Sequence, residues 1–309
     1  AAEFLRLRHR LIPYLYTASK DTHDLGLALV EPLYYRHKQA AAYDFPQTYY
    51  FGSELLVAPV TERAKQDGFA RVKTWLPAGR WTDIFTGAEY EVGKEGKKIT
   101  LYRKLDGIPV LAKAGGVLPL SADKGNGCDN PEKLDVSIYY GNGEYTLRED
   151  GLERGKSGEA RTVFTNRYAE SGGTCTQTTE IYADGERGVV PEKRLLRLRY
   201  PNVEKGEVRV WKNGKKATFS RVITDCVCIE IPVKAGARYC VEVRFAKKER
   251  VEKLLSYALK ALTRAEGNND DKFRAWKALK ETTTAEEYRA AVDGAKLSAV
   301  TKRVLKETL

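Results

Sequence analysis

The hydrophobic pattern of this chain changes its period near residue 246, and this change constrains the fold more than any other feature. Before it, apolar side chains alternate over short runs, as in Val227, Ile229 and Ile231. Strands show this period because successive side chains point to opposite faces of a sheet. After it, apolar side chains recur at helical spacing, as in Val251 and Leu254. The sequence therefore predicts a mainly β chain followed by a small helical tail.

Turn signals separate the predicted strands. Lys212-Asn213-Gly214-Lys215 is the strongest hairpin signal, because Asn-Gly supplies the positive φ angles of a type I′ turn. We also predict a hairpin turn at 140–144, a strand, turn and strand over 74–81, and two short strands around the glycine pair within 108–120. This density of strands and turns is typical of β-sandwich domains.

A helical pattern covers residues 3–25, where Pro13 predicts a kink or a restart and Gly26 a C-cap. Residues 121–132 have the composition of a linker, and three or four short helices are predicted after residue 246. Four segments follow from these patterns. They are one helix (1–28), a first β-sandwich (29–122), a second β-sandwich (123–246) and a helical tail (247–309).

The net charge of +11 does not by itself indicate a nucleic-acid partner, because the Lys and Arg residues are interleaved with 42 acidic residues. No apolar run has the length of a membrane span, so no membrane partner is predicted either. Methionine is absent from all 309 residues, which is rare at this length. We hypothesise that methionine positions are missing from the sequence, and an intact mass above 34.7 kDa would show it.

The five cysteines are too few and too irregularly spaced for a disulfide scaffold. Cys226 and Cys228 lie on one face of a predicted strand, and Cys240 on what we take to be a neighbouring strand, so that a disulfide or a soft-metal site is conceivable. Without a second pair of ligands, free thiols are the prediction, and no metal is expected. Free thiols favour a reducing, cytoplasmic compartment, and we expect a bacterial source.

Few other residues suggest a metal-binding or sugar-binding site. His9 and His23 lie about 21 Å apart along one helix, so they cannot share a metal, and His37 lies apart from both. Trp81 and Trp211 are candidates for stacking on sugar rings, but packing in a core is the commoner role. We therefore predict no metal site and no cofactor.

One acidic stretch and one glycine-rich stretch are predicted to be turns and not catalytic or cofactor-binding sites. Glu149 and Asp150 are adjacent, and on a strand they would point to opposite faces, so they cannot flank one glycosidic bond. We predict an acidic pair in a turn, with a calcium or sugar contact as the alternative. Gly141-Asn142-Gly143 lacks the third glycine of a dinucleotide fingerprint and is predicted as a hairpin turn.

Four ordered stretches nevertheless resemble one family. They are residues 8–17 (RHRLIPYLYT), 50–60 (YFGSELLVAPV), 75–93 (beginning WLPAGRWTDIFTG) and 108–120 (IPVLAKAGGVLPL). Together they are similar to glycoside hydrolase family 31, the α-glucosidase and α-xylosidase type. The stretch from Gly143 to Gly151 resembles the distal C-terminal domain of that family. From 152 to 245 the likeness is one of pattern only, and the helical tail is not general to the family.

The resemblance implies an architecture and a reaction. Helix 3–25 would be the last helix of a (β/α)8 barrel, and the two β regions would be the proximal and distal C-terminal sandwiches. The family hydrolyses α-glycosidic bonds with retention, using one Asp as nucleophile and another as acid/base. Both would lie before residue 1, so we assign no catalytic residue here, and substrate-binding residues stay unknown. The chain alone is expected to be inactive.

Three functional interpretations remain open. The first is a C-terminal part that braces the catalytic barrel of its own enzyme, whose substrate is an oligosaccharide. This predicts a large exposed apolar patch. The second is a carbohydrate-binding module built on aromatic residues of the distal sandwich. The third is a basic interaction module in the tail, which holds 15 Lys and Arg against 10 Asp and Glu. The sugar, the linkage and the oligomeric state do not follow from the sequence.

Overall fold

The computed structural model describes residues 2–64, 68–123, 125, 127, 129–151, 158–186 and 188–309. The chain is mainly β, as predicted, with 38% strand against 25% helix. It divides into two compact units. The first comprises Ala1–Val30, Phe51–Glu54 and Ala114–Lys247, and the second comprises Glu31–Tyr50, Leu55–Lys113 and Lys248–Leu309. The N-terminal helices thus group with the second β region, and the helical tail groups with the first.

The described part of the chain forms nineteen strands and eight helices. The strands are β1 (Val30–Pro32), β2 (Tyr49–Phe51), β3 (Leu55–Val57), β4 (Ala70–Leu76), β5 (Gly79–Asp83), β6 (Glu89–Val92), β7 (Lys97–Arg103), β8 (Val110–Lys113), β9 (Val117–Ser121), β10 (Lys133–Ile138), β11 (Gly143–Asp150), β12 (Glu159–Ser171), β13 (Thr174–Gly185), β14 (Leu195–Tyr200), β15 (Glu207–Lys212), β16 (Lys215–Lys216), β17 (Ser220–Arg221), β18 (Val227–Pro232) and β19 (Arg238–Ala246). The helices are α1 (Ala2–Arg10), α2 (Ile12–Leu25), α3 (Leu33–Arg36), α4 (Ala40–Tyr43), α5 (Arg250–Arg264), α6 (Asn269–Lys280), α7 (Ala285–Gly294) and α8 (Ala299–Leu305).

Pro13 restarts the N-terminal helix, which confirms one of the two predicted outcomes. The chain leaves α1 at Arg10 and enters α2 through Leu11, so Pro13 lies in the first turn of α2. A proline is tolerated there because its missing N–H would have no partner within the helix. Gly26 closes α2 in the left-handed region, with φ +69°. The predicted C-cap is therefore also confirmed.

The first unit holds two sheets. One has the order β17-β18-β14-β10-β9 and the other the order β11-β12-β13-β19-β15-β16. The strand β10 pairs with β14 in parallel, whereas its pairing with β9 is antiparallel. Alternate residues of β10 and β14 are buried, as the period of two predicts. The Tyr200 hydroxyl of β14 donates to Thr179 Oγ1 of β13 at 3.5 Å, which links the two sheets.

The two hairpin predictions have different outcomes. Lys212 pairs with Lys215 across Asn213 and Gly214, whose φ angles are +49° and +77°, so the two-residue hairpin is confirmed. The hairpin predicted at 140–144 is wrong. The strands on either side of it, β10 and β11, belong to different sheets, so these residues form a crossing between sheets.

The second unit contains a sheet with the order β1-β2-β3-β8-β5-β6, almost all of it in this unit, and the separate pair β4-β7. The predicted strand, turn and strand at 74–81 is confirmed as β4 and β5, which however enter different sheets. The two strands predicted around the glycine pair are β8 and β9. Trp75, Leu76 and Leu101 are among the buried residues of the core of this unit.

Four short helices form the tail, as predicted. Asn268 caps α6, with Asp270 and Asp271 in its first turn, and Thr284 forms a capping box with Glu287 at the start of α7. The tail helices share a buried cluster that includes Leu254, Leu279, Tyr288 and Leu305. Tyr257, Val300 and Val304 belong instead to the core that contains the strands of the second unit. No helix in the described residues is long and apolar enough to cross a bilayer.

Candidate functional site

Tyr14 of α2 joins two of the stretches on which the family resemblance depends. Its hydroxyl donates to the Phe51 carbonyl oxygen at 2.6 Å and accepts from the Glu54 N–H at 3.1 Å. Gly52 has φ +63°, and a Cβ there would lie 2.4 Å from the Tyr14 hydroxyl oxygen. Position 52 therefore needs glycine for its backbone angle and for the space that Tyr14 occupies.

A close approach of two backbone segments joins the next two stretches. A Cβ on Gly115, whose φ is +76°, would lie 2.0 Å from the Asn142 carbonyl oxygen. A Cβ on Gly143 would lie 2.7 Å from the Gly115 carbonyl oxygen. Tyr145 follows in β11, and its ring stacks on Tyr14 with centroids 6.1 Å apart. Three of the four stretches, and the stretch beginning at Gly143, thus meet around Tyr14 in the first unit.

Buried polar side chains hold this crossing in place. Gln177 Oε1 accepts from the Gly141 N–H at 2.8 Å, and Asn166 Nδ2 donates to the Gly115 carbonyl oxygen at 2.9 Å. Thr179 Oγ1 donates to Asn166 Oδ1 at 2.8 Å. The three side chains are buried and bonded to one another or to backbone, as buried polar groups require. The arrangement fixes the backbone and offers no group to a ligand.

The second unit contains a buried ion network centred on Arg103 of β7. The guanidinium donates to Asp83 at 2.5 Å and to Glu307 at 2.8 Å, and both carboxylates are fully buried. Glu307 also accepts from the Tyr90 hydroxyl and the Tyr102 N–H. Burial disfavours the charged guanidinium, but Glu307 and Asp83 more than offset this, so the pKa of Arg103 lies well above its ordinary value. Arg103 is therefore charged at every accessible pH.

These two carboxylates do not resemble a glycosidase pair. A retaining enzyme needs two carboxyl groups about 5 Å apart, each free to act on the substrate. Here one guanidinium binds both Asp83 and Glu307, and neither carboxylate is exposed. The network can hold the chain segments together, because removing one member of a buried ion pair is strongly destabilising. It cannot donate or accept a proton at a substrate.

A cavity of about 220 Å³ in the second unit has Arg103 in its wall. Three more cationic side chains line it, Lys104, Lys260 and Arg264. The rest of the wall is largely apolar and includes the rings of Phe69, Phe85, Tyr102 and Tyr257. Strand β7 and loops of the β region supply one part of this wall, and helices α5 and α8 of the tail supply another. The sequence did not suggest the cavity, because it is lined by residues of two segments, 69–108 and 257–304, that lie far apart in the chain.

The cysteines are free thiols, as predicted, at Cys175, Cys226, Cys228 and Cys240, while Cys128 lies outside the described residues. The expectation that Cys240 lies on a strand beside Cys228 is wrong. Cys228 is in β18 and Cys240 in β19, which belong to different sheets. Burial raises the pKa of both thiols, Cys228 and Cys240. Within the described ranges no three His, Cys, Asp or Glu side chains are grouped as metal ligands.

The three histidines lie in separate surroundings. His9 is in α1 and His23 in α2, where His23 contacts Asp24 at 2.7 Å on the exposed surface. His37 follows α3 in the second unit, and its Nε2 lies 2.6 Å from the Tyr50 hydroxyl oxygen. Burial and, second, the neighbouring Arg36 lower the pKa of His37.

The acidic pair and the tryptophans have structural roles. Glu149 and Asp150 are the last two residues of β11, so the predicted turn is wrong. They point to opposite faces, as a strand requires. Glu149 is buried and binds Arg194 through two bonds of 2.7 and 3.1 Å, whereas Asp150 accepts from the Tyr16 hydroxyl. Trp81 is a core residue, as expected, and its Nε1 donates to the Pro77 carbonyl oxygen.

Sequence reasoning missed the ion pairs of Arg103 and Arg194. A signal for them was present in the strand period. Arg103 is in phase with Leu101 on the buried face of β7, and Glu149 is in phase with Leu147 on that of β11. A charged residue at an apolar position of an alternating strand predicts a buried ion pair. The partner of Arg103 at position 307 has no such signal.

Comparison with known proteins gives one family match. Residues 26–118 match the sequence profile described as the glycosyl hydrolase family 31 C-terminal domain. The α-xylosidase of Saccharolobus solfataricus is 32% identical over 154 residues, which is 48% of this chain and 20% of that protein. The α-glucosidase 2 of Bacillus thermoamyloliquefaciens is 27% identical over 224 residues, 70% of this chain and 27% of that protein. The chain thus spans about a quarter or less of such relatives.

The fold has solved counterparts. The Flavobacterium johnsoniae GH31 dextranase superposes with a TM-score of 0.60 and 22% identity, over 77% of this chain and 32% of the dextranase. A glucosidase II α subunit superposes with a TM-score of 0.52 and 21% identity, over 77% of this chain. At these identities the likeness shows a shared fold.

Proposed function

We propose that this chain, whose residues 26–118 match the profile of the glycosyl hydrolase family 31 C-terminal domain, is the non-catalytic C-terminal part of a retaining α-glycosidase. The enzyme would hydrolyse α-glucosidic or α-xylosidic bonds. Its nucleophile and acid/base aspartates would lie in a part of the enzyme outside these residues. The proposal is supported by the small share, 20% and 27%, that the chain covers of two glycosidase relatives.

The proposed architecture follows the family. Residues 1–28 would be the last helix of the catalytic barrel, 29–122 the proximal sandwich, 123–246 the distal sandwich and 247–309 an added helical domain. Its support is the superposition on the dextranase fold and the match of the family profile to 26–118. The role of the chain would be to brace the barrel.

One observation carries the bracing role. Five large apolar side chains on α1, at the end of α2 and just after it are exposed, Phe4, Leu5, Leu25, Leu27 and Val30, with exposed fractions from 39 to 64%. Exposed apolar side chains of this kind support the proposal that another domain covers this helical segment. The barrel of the same enzyme is the partner that the family implies.

The catalytic part of the proposal is tested by a hydrolysis assay. We expect the purified chain to release no more 4-nitrophenol from 4-nitrophenyl α-D-glucoside or α-D-xyloside than a buffer blank. The complete α-xylosidase relative, assayed beside it, serves as the positive control. Turnover by the chain that persists through a second purification step would contradict the proposal, because it would require a catalytic pair within these residues.

A second candidate, a carbohydrate-binding surface, is favoured by one cluster of exposed rings. Tyr34 and Tyr43 stack with centroids 5.0 Å apart and an angle of 12°, and Tyr35 meets Tyr34 edge-on. Tyr35 is 70% and Tyr43 59% exposed. The cluster lies in the second unit, whereas Trp211 of the distal region is partly buried. Titration with α-gluco- and xylo-oligosaccharides tests it, and heat of binding that Tyr35→Ala does not change would reject this surface.

The third interpretation, a basic module in the tail, has less support. Several of its cations are already paired, including Lys253 with Glu89 and Glu91, and Arg274 with Asp271. Paired charges of both signs give a mixed surface. These ion pairs reduce the number of cations in this segment that are left to bind a polyanion.

A further inference from the structure

The cavity of the second unit is large enough to hold one aromatic ring, and aromatic side chains line it. Its volume is about 220 Å³, and four aromatic side chains line it, Phe69, Phe85, Tyr102 and Tyr257. A buried apolar cavity of about 150 Å³ is enough to hold benzene. The space therefore accepts an aromatic ring with one small substituent. Aromatic walls favour such a ring through edge-to-face and offset contacts.

The charged side chains of the cavity wall determine which ligand charge is favoured. Three of its four cations are engaged by carboxylates, namely Arg103 by Asp83 and Glu307, Arg264 by Asp106 at 2.6 Å, and Lys104 by Glu266 at 3.2 Å. Lys260 is different, because in the described part of the chain its Nζ contacts only the Thr86 carbonyl oxygen, at 3.5 Å. Lys260 is thus the cation of the described wall that no carboxylate engages, and its ammonium group is available to bind one carboxylate of a ligand.

Arg103 provides a second, independent observation. Its side chain is 4% exposed and lines the cavity, yet its Nε has no hydrogen-bond partner among the described residues. Buried donors without a partner are rare in native proteins, because each costs free energy. A ligand acceptor atom that reaches Nε would satisfy this donor.

The net positive charge of the second unit also favours the binding of an anion. The segments of this unit hold 27 Lys and Arg against 19 Asp and Glu, so they contribute +8 of the net charge of +11. Such an excess raises the local concentration of small anions. A dianion such as a phosphate monoester fits less well, because among the described residues of the wall only one cation is not engaged by a carboxylate.

We propose that this cavity binds a small aromatic monocarboxylate. Its ring lies between the aromatic walls, and its carboxylate accepts from Lys260 Nζ. Strand β7, loops of the β region and helix α5 of the tail build the site together. The proposal does not depend on the glycosidase assignment, since the site uses no residue of the catalytic barrel.

Titration calorimetry on the whole chain at low ionic strength tests this proposal, with benzoate as the probe. Acetate lacks the ring, benzyl alcohol lacks the charge, and phenyl phosphate adds a second charge. We expect benzoate to bind more tightly than each of these. Lys260→Gln should weaken benzoate binding about tenfold or more, the loss expected for a charge-assisted hydrogen bond. The control is Lys277→Gln, an exposed lysine of α6 outside the cavity, which should leave the affinity unchanged.

Four results would overturn the proposal. They are no benzoate binding up to roughly 10 mM, equal binding of benzyl alcohol, tighter binding of phenyl phosphate, and an unchanged affinity of Lys260→Gln. The substitution lies on the surface, so the folded state is retained and each result is decisive. If the cavity proposal fails, the glycosidase proposal is unaffected, because the two proposals are tested by different experiments.

Discussion

At position 115, a residue larger than glycine would fit only if the backbone at Asn142 moved. Its φ is +76°, and a Cβ would lie 2.0 Å from the Asn142 carbonyl oxygen. Gly172 offers a matched comparison in the same unit, since its φ is +54° and a Cβ there would meet no atom within 4 Å. The two glycines share a backbone conformation and differ in the space around them.

We expect Gly115→Ala to lower the free energy of unfolding by about 4 kcal/mol or more, because backbone strain and a backbone clash combine. Gly172→Ala should cost only about 1–2 kcal/mol, the strain of the left-handed region. Urea denaturation followed by circular dichroism measures both. Equal losses for the two variants would show that the crossing of the backbones can relax.

His37 is a residue whose protonation opposes folding. Burial and Arg36 lower its pKa, and its ring meets Trp75 edge-on at 5.3 Å. The unfolded state has a His pKa of about 6.5 and therefore binds more protons than the folded state just below that pH. Stability then rises with pH. The contribution of neutral His37 is complete above about pH 6.5 and is lost as the pH falls towards the lower, folded pKa.

The variant His37→Gln should therefore flatten the fall in melting temperature between about pH 6.5 and pH 5. Lys38→Gln, at an exposed position next to His37, provides the control and should keep the slope of the parent chain. Melting curves followed by circular dichroism across this range give the comparison. If the parent and His37→Gln show parallel curves, the acid sensitivity of the chain has another origin.

At the scale of elements, Glu307 ties the end of the tail to the strands of the second unit. It follows α8 and accepts from Arg103, from the Tyr102 N–H and from the Tyr90 hydroxyl. Burial and Glu307 raise the pKa of Tyr90 well above its ordinary value. This residue therefore satisfies three buried donors at once, on β6 and β7.

We expect Glu307→Ala to cost about 3 kcal/mol or more in the free energy of unfolding, because it leaves buried donors unpaired. Glu281→Ala, at an exposed position after α6, should change it by less than about 0.5 kcal/mol. Urea unfolding followed by tryptophan fluorescence gives both values. A small effect at position 307 would mean that water or another carboxylate replaces Glu307.

Some elements of the fold are determined by neighbouring residues in the sequence, and others are not. The Asn213-Gly214 hairpin and the restart at Pro13 were predictable, because both follow from φ angles of neighbouring residues. The crossing at 140–144 was not, since whether two strands share a sheet depends on partners far along the chain. The same holds for Arg103 and Glu307, which are 204 residues apart. Local chemistry predicts turns and caps, but long-range pairing requires the fold.

For the whole molecule, the exposed apolar side chains near the N-terminus should be measurable. We expect the chain to enhance the fluorescence of the dye ANS. The double variant Leu25→Lys, Leu27→Lys should reduce the enhancement while stability changes by less than about 0.5 kcal/mol per site. Ile223→Lys is the control, because Ile223 is fully exposed away from these residues. Equal loss of signal in this control would mean that the dye reports scattered side chains instead of one surface.

The composition of the second unit has a consequence for synthesis on the ribosome. Its core needs Tyr257, Val300 and Val304 beside Trp75 and Leu101, yet 134 residues of the first unit, Ala114–Lys247, are translated between its two parts. At roughly 5–20 residues per second, residues 31–113 emerge roughly 10–40 s before the tail that completes their core. During that interval a nascent chain exposes an unfinished apolar surface. This region is thus where chaperones would engage first, and where slower translation would prolong the risk of aggregation.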